Sequence, residues 1–579
     1  MRGADEKWSL TRETIAGKGL SVIVHAGAAQ TVRACLFGHG VNAEVVEIDR
    51  TRYPGVGAAL KAAFDGTTGA FVMLLSGDLA ANAEQTPEFF AAMLTKGADI
   101  VIGSKRHARS SVGYPWHRRV LSWIYYTLVH WFIGVKVSDT RTGMRLFRRE
   151  TLAYALDRML VKAHAFDLEI LAIAVGHGAT VAEAPVVVKG GDGDFGVPHG
   201  DVVRNIVNDT LAVFYRARVL GYYEKCLVPN RLDHDPLVSV VIACPHDSWM
   251  LRECLAGIRR QTYANWEVIV LPDDVPDGDA GGSRSELSNN PNDRTIRFLP
   301  TGKVRPAEKR NLGIREAKGE IVAFIDDDAA PEEHWLEYAV KYFGDRDIGA
   351  VGGPGVTPPG DRWLARVGGR VYDNPLVSGN YRYRYKAGGV RMDVEDYPSC
   401  NLFVRKDLLD RIGGYRTDFW PGEDTLLCKD IIDNWKRIIY EPWVIVYHHR
   451  RPLFMPHLRQ LGRYGFRRGY FCKRFPSNSL RASYFVPTAF VAYLAALAVA
   501  AGVALGAGIA VPTWAAGVAL APLALYWALV LLMSFSVRPH DWLLTALGVF
   551  ASHVCYGVRF VQGLCARKAP CEYIGKDHV

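Results

Sequence analysis

Apolar positions come in short runs over most of this chain and in long runs over its last hundred residues. Between residues 20 and 223 the runs LSVIV (20–24), VNAEVV (41–46), AFVMLL (70–75) and ADIVI (98–102) alternate with helically spaced stretches. That alternation predicts an α/β fold with a mostly parallel sheet. A polar, Pro-bounded stretch, CLVPNRLDHDP (226–236), reads as a linker. Then the pattern restarts. VSVVIA (238–243) is a strand, 249–261 has helical spacing, and WEVIVL (266–271) is a strand ending at Asp273 and Asp274. A helix over 310–317 precedes a strand over 320–325, which delivers Asp326, Asp327 and Asp328. The chain reads as two nucleotide-binding-type units in tandem, a degenerate internal duplication.

Residues 484–509 and 514–535 are each apolar and long enough to span a bilayer. A third apolar segment, 542–564, is interrupted by His553 and Arg559. Arg463, Arg467, Arg468, Lys473, Arg474 and Arg481 precede the first span and assign that side to the cytoplasm. The uncharged loop 506–512 then lies outside, and Arg538 returns the chain inside. Arg567 and Lys568 also prefer the inside, so the third segment is re-entrant or interfacial, or a span that breaks the charge rule. The expected organisation is a polar tail (1–18), a first α/β domain (19–225), the linker, a second α/β domain (237–455), basic interfacial helices (456–482), a membrane segment (483–565) and a tail (566–579).

The formal net charge of +9 sharpens this picture. Its Lys and Arg excess gathers before and between the apolar runs, which suits an anionic membrane surface. There is no zinc-finger spacing and no basic stripe interleaved with aromatics, so nucleic acid is not expected as a partner. The ten cysteines include no C-x-x-C pair and read as reduced, mostly buried thiols. The opening MRGADEKWSLTRETIAGKG has no apolar core, so no signal peptide is expected and the catalytic part is expected in the cytoplasm.

Candidate chemistry lies in the second unit. Acidic residues at a strand's end offer hard oxygen ligands for Mg²⁺ or Mn²⁺ on a diphosphate. A later carboxylate, in Gly422-Glu423-Asp424, can serve as the base that activates an acceptor hydroxyl.

Two stretches, VSVVIACPHDSWMLRECLAGIRRQTYANWEVIVLPDD and RPAEKRNLGIREAKGEIVAFIDDDAAP, resemble the family 2 inverting glycosyltransferases, which have a GT-A fold. The resemblance runs from about residue 237 to about 469. It implies a Rossmann-like domain that takes a nucleotide-sugar donor, with Asp273, Asp274, Arg310, Asn311 and Asp326 on the donor side. It further implies Asp326 and Asp328 as metal ligands, Asp424 as catalytic base beside Glu423, and His448 as a third metal ligand, with His449 as an alternative. Val275 and Pro276 replace the small Gly-Ser of the family pattern. Gln460-Leu-Gly-Arg463-Tyr464 resembles the Q-x-x-R-W element of membrane-embedded synthases, with Tyr for Trp, and implies a diphosphate contact for Arg463.

The first unit resembles the dolichol-phosphate-mannose synthase-like and polyprenyl-phosphate glycosyltransferases of the same family, most clearly over 98–152. Gly103-Ser104-Lys105, Arg118 to Ser122 and Asp139 to Arg145 carry that likeness. Arg118 and Arg145 are its candidates for an acceptor or lipid phosphate. However, Ser76-Gly77-Asp78-Leu79 stands where the family has D-A-D-L. A hydroxyl is a poor substitute for a carboxylate on a hard cation. The first unit is therefore expected to be a degenerate, inactive transferase.

The resulting expectation is a multi-pass enzyme of the cytoplasmic membrane. It would move a sugar from a nucleotide donor to a lipid-linked or cell-surface glycan acceptor, as in polysaccharide biosynthesis. Two alternatives stay open: a bifunctional transferase, and a non-catalytic membrane scaffold that binds nucleotide sugar or lipid phosphate.

Overall fold

The computed structural model describes residues 4–25, 27–48, 56–76, 82–112, 142–161, 165–188, 200–225, 234–274 and 296–567, with isolated positions between these stretches. Asp78, Arg118, Val275 and Pro276, and most of the aromatic stretch 120–133, lie outside them. The chain divides into two compact units, Met1–Val228 and Pro229–Val579.

In the first unit six described strands form the main sheet, and Ser111–Val112 pairs separately with Val187–Val188. The main sheet has the order Glu44–Ile48, Leu20–His25, Phe71–Leu75, Met144–Arg148, Ile100–Ser104, Val181–Pro185. All its pairings are parallel except those of Met144–Arg148. In the second unit the order is Ile296–Phe298, Trp266–Leu271, Val238–Ala243, Ile321–Asp326, Asn401–Arg405, Ile348–Gly352, Arg437–Tyr440, Met392–Val394. Asn401–Arg405 runs against both its neighbours. The strands buried on both faces are the ones written as continuous apolar runs.

The two sheets share more than an order. Ser21 Oγ donates to Glu44 at 2.7 Å and accepts from Gly69 N at 2.9 Å. Ser239 Oγ donates to Glu267 at 2.7 Å and accepts from Gly319 N at 2.8 Å. In each unit the glutamate also accepts the backbone N–H just before that glycine, from Thr68 and Lys318. A Cβ on Gly319 would lie 2.5 Å from the Leu237 carbonyl, and one on Gly69 2.7 Å from Ser21 N. Only glycine permits that approach of Phe71–Leu75 to Leu20–His25 and of Ile321–Asp326 to Val238–Ala243. By this register Ser76 stands where the second unit has Asp326.

After the second sheet come the basic helix Met455–Arg474 and three apolar helices, Val486–Gly506, Thr513–Met533 and Pro539–Cys565. All three apolar helices are long and apolar enough to cross a membrane. The last is one unbroken helix despite His553 and Arg559. The turn that a re-entrant loop needs is not there.

The basic helix is fastened to the sheet-bearing part by buried charge. Asp396 pairs with Arg468 and lies 3.6 Å from Arg384. Burial opposes its ionisation, but these two guanidinium groups hold its pKa down at about 2. That is below the unfolded value of about 3.9. The contribution is therefore full above pH ~4 and is lost as pH falls toward 2. Asp396→Ala leaves two arginines without their counter-charge, and a loss of about 3–5 kcal/mol is expected. Denaturant unfolding in detergent checks this.

Candidate functional site

The site lies at the C-terminal ends of the parallel strands of the second unit. Strand Val238–Ala243 sits between the strands leading to Asp273 and to Asp326, and Asp326 pairs in register with Ala243. Buried Lys309 fixes the first of these acids. Its Nζ donates to the carbonyls of Cys244 (2.6 Å) and Leu271 (3.1 Å) and pairs with the Asp273 carboxylate. Asp274 is exposed beside it.

Arg310, on helix Pro306–Glu316, joins the two halves of the acid series. One Nη lies 2.8 Å from Asp326; the other lies 3.2 Å from Glu423 and 3.7 Å from Asp424. Its side chain is 9% exposed. Burial disfavours the charge, but the surrounding carboxylates keep its pKa above the ordinary arginine value. Asn311 is occupied at both ends of its amide, donating to Tyr415 O at 2.8 Å and accepting from Tyr415 N at 2.7 Å. Both residues were expected on the donor side. In the structure Arg310 aligns carboxylates, and Asn311 holds the Gly414–Tyr415 turn.

Glu423 and Asp424 open helix Glu423–Asp433, where the helix dipole favours negative charge. Its N-cap, Gly422, has φ +121°, and a Cβ there would lie 2.7 Å from the Phe471 ring. Glu423 is buried, held by Arg310 and by the Gly422 N–H. Burial, then the charge of Asp424, pushes its pKa up to about 8, against the pull of Arg310. Asp424 is more open, 29% exposed. Burial raises its pKa, opposed by Arg310 and by the hydrogen bond from Ser399. Ser399 Oγ donates to Asp424 and sits 2.6 Å from Tyr415 OH, so Tyr415 supplies the proton of that second bond. The accessible carboxylate of the pair is thus Asp424.

Across from it, Asp326, Asp328 and His448 each offer a ligand atom within 4.8 Å of the others. Antiparallel pairing of Ala329–Pro331 with Val446–His448 sets Ala329 opposite His448, and His449 N donates to Asp328 O at 2.9 Å. Asp328 and His448 lie 3.1 Å apart. Burial would raise the Asp328 pKa, but His448, Arg451 and Arg450 outweigh it and hold the pKa below the carboxylate range. Burial likewise disfavours the charged imidazole, yet Asp328 carries His448 up to about 10. Asp327 goes the other way, pushed to about 8 by burial and by its two acidic neighbours. Two carboxylate oxygens and an imidazole, converging on one point, fit a divalent cation such as Mg²⁺ or Mn²⁺.

His449 is directed elsewhere. Its ring bonds Glu253 at 2.9 Å and Asp361, against the edge of Trp249. Arg463 lies on the basic helix with its guanidinium 6.0 Å from the Trp420 ring. In the first unit Arg145 is buried and pairs with Asp167 at 2.9 Å, at the start of helix Phe166–Gly176. Lys309 and Arg451 were not singled out from the sequence. Only the conjunction of an invaginated lysine with strand-end acids could have pointed to Lys309.

Because Arg310 lowers the pKa of Asp424, Arg310→Gln is expected to raise it. Were Asp424 the catalytic base, the acid limb of kcat/KM would then move to higher pH, which a pH–rate profile against wild type reads directly.

The profile described as glycosyl transferase family 2 matches residues 40–154 and 239–413, half of the chain. Glycosyltransferase AglE of Haloferax volcanii is 25% identical over 235 residues, 38% of this chain and 68% of the relative. Polyprenol monophosphomannose synthase of Mycolicibacterium smegmatis is 33% identical over 143 residues, 24% of this chain and 53% of the relative. Pre-mycofactocin glycosyltransferase of Mycobacterium tuberculosis is 28% identical over 159 residues, 25% of this chain and 30% of the relative. A solved mannosyltransferase, PcManGT from Pyrobaculum calidifontis in complex with GDP-Man and Mn²⁺, aligns at TM-score 0.41 and 20% identity over 62% of this chain and 97% of its own.

Proposed function

The chain belongs to glycosyl transferase family 2, and from that premise we propose that its second unit transfers a sugar from a nucleotide donor to a lipid-linked or glycan acceptor at the cytoplasmic face of a membrane. The observation that carries this reading is the meeting of two acid sets around one guanidinium: Asp326 on one side of Arg310, Asp424 on the other.

In this reading Asp273 and Asp274 hold the nucleoside end of the donor, and Lys309 keeps Asp273 in place. Asp326, Asp328 and His448 would hold Mg²⁺ or Mn²⁺, which when bound neutralises charge on the donor diphosphate. Asp424 accepts the proton of the acceptor hydroxyl as its oxygen bonds to the anomeric carbon. The bond from that carbon to the diphosphate oxygen breaks, and the nucleoside diphosphate leaves. A single displacement from the opposite face inverts the anomeric centre. Ser399 and Arg310 orient Asp424 and favour its ionised form.

The first unit, with Ser76 in the place of Asp326, serves as a non-catalytic partner domain. The shared strand order and the repeated Ser–Glu–Gly hydrogen bonds support a tandem GT-A origin for both units. The test is nucleoside diphosphate release from a panel of nucleotide sugars by detergent-solubilised full chain with Mn²⁺ or Mg²⁺. Release that survives Asp424→Asn unchanged would sink the assignment.

A further inference from the structure

The third apolar helix, Pro539–Cys565, touches the body that carries Asp424 along its whole length. At its start Asp541 accepts from Trp363 Nε1 at 2.7 Å and from Arg370 Nη1 at 3.4 Å. Gly548 abuts Val371 and Leu453, where a Cβ would lie 2.7 and 2.9 Å from their methyl groups. In the middle, Ser552 Oγ is 3.1 Å from His457 Nε2, and His553 Nε2 is 2.9 Å from the Leu376 carbonyl. From there it runs beside the basic helix in the same direction. Cys555 Sγ donates to Leu458 O at 3.4 Å, Gly465 meets Tyr556, and Gly563 meets the Phe466 carbonyl. Past its end, Ala566 O accepts from Lys473 Nζ at 2.8 Å.

The basic helix is itself anchored to the sheet-bearing part. Arg467 donates to Trp420 O, Arg468 pairs with Asp396, and Phe471 closes on Gly422. Both ends of the third apolar helix, about 40 Å apart at 1.5 Å per residue, therefore rest on one body. A helix crossing a hydrocarbon core of about 30 Å would leave one end on the far side, away from these partners.

The outward side of this helix is apolar. Leu543, Leu547, Val558 and Val561 are 40–55% exposed, and at 3.6 residues per turn they fall within a sector of about 60°. The first two apolar helices meet it near Pro487 and Phe490 and near Trp527 and Leu531. Their most apolar windows are 0% and 6% buried, against 39% for the third.

We infer that Pro539–Cys565 does not cross the bilayer. It lies along the membrane surface as a beam between the basic helix and the two spanning helices, with Leu543, Leu547, Val558 and Val561 facing lipid acyl chains. Continuity with the two spanning helices, whose own exposed faces are apolar, commits the stripe to lipid rather than to a protein partner. The residues after Cys565 then lie on the side of Asp424. This removes the conflict between Arg567, Lys568 and the charge rule.

The test uses the full chain carrying a dual reporter, a phosphatase active only outside and a fluorescent protein fluorescent only inside. The reporter is placed after Val579 and, separately, at Gly508. Fluorescence after Val579 with phosphatase activity at Gly508 is expected; phosphatase activity after Val579 overturns the inference. Depth is read separately with bimane on Leu547→Cys in a Cys565→Ser background, the parent serving as blank. The vesicles contain lipids doxyl-labelled at acyl carbon 5 or 12. Stronger quenching by carbon 5 is expected. Stronger quenching by carbon 12 means a span, and no quenching means that protein, such as a second copy, covers the stripe; either contradicts the proposal.

Discussion

Asp424→Asn is expected to lower sugar transfer about 10²–10⁴-fold, the usual contribution of a positioned general base. The substitution is nearly isosteric and keeps an oxygen for the Ser399 hydrogen bond. The fold and donor affinity should survive, so the loss should fall in kcat. Glu423→Gln separates the two carboxylates. Glu423 is buried and bonded to Arg310 and to the Gly422 N–H, so its loss should perturb Arg310 and stability first. If Glu423 were the base, the two variants would exchange phenotypes. In wild type, activity should rise with pH through a pKa above the ordinary aspartate value, since burial raises that of Asp424.

Asp328→Asn comes second, with an expected loss of about 10²–10³-fold, the scale for removing one preorganised electrostatic group at a reacting centre. It removes one charge from the set Asp326, Asp328 and His448. It also frees His448 from the carboxylate that holds it protonated, so the His448 pKa should fall from about 10 toward the ordinary imidazole value. The readout independent of turnover is Mn²⁺-dependent thermal stabilisation. Ligand binding to the folded state raises stability by RT ln(1 + [L]/Kd), so wild type should gain Tm with Mn²⁺ and the variant should gain little. Equal gains in both would remove Asp328 from the metal set.

The strands were legible because their composition leaves little choice. The runs at 238–243 and 266–271 are strands over those same residues. Asp326 and Asp328 were legible for the same reason, since a buried run ending in acids must place them at the sheet's edge. The work of Arg310 was not legible. It depends on helix Glu423–Asp433 folding back against helix Pro306–Glu316, more than a hundred residues earlier, and no local pattern encodes that return. Nor did the spacing distinguish His448 from His449. The strand pairing does, turning one ring to Asp328 and the next to Glu253 and Asp361. For the third apolar segment, hydropathy recorded only length. Its glycines, Gly548, Gly557 and Gly563, mark close helix packing, a signal that resides in contacts rather than in mean hydropathy.

The most direct test is nucleoside diphosphate release by the full chain across a nucleotide-sugar panel with Mn²⁺, with wild type beside Asp424→Asn and Asp78→Asn. Release lost in Asp424→Asn and kept in Asp78→Asn is the expected result, and it assigns the chemistry to the second unit. Release lost in Asp78→Asn and kept in Asp424→Asn would contradict the account and make the first unit the enzyme.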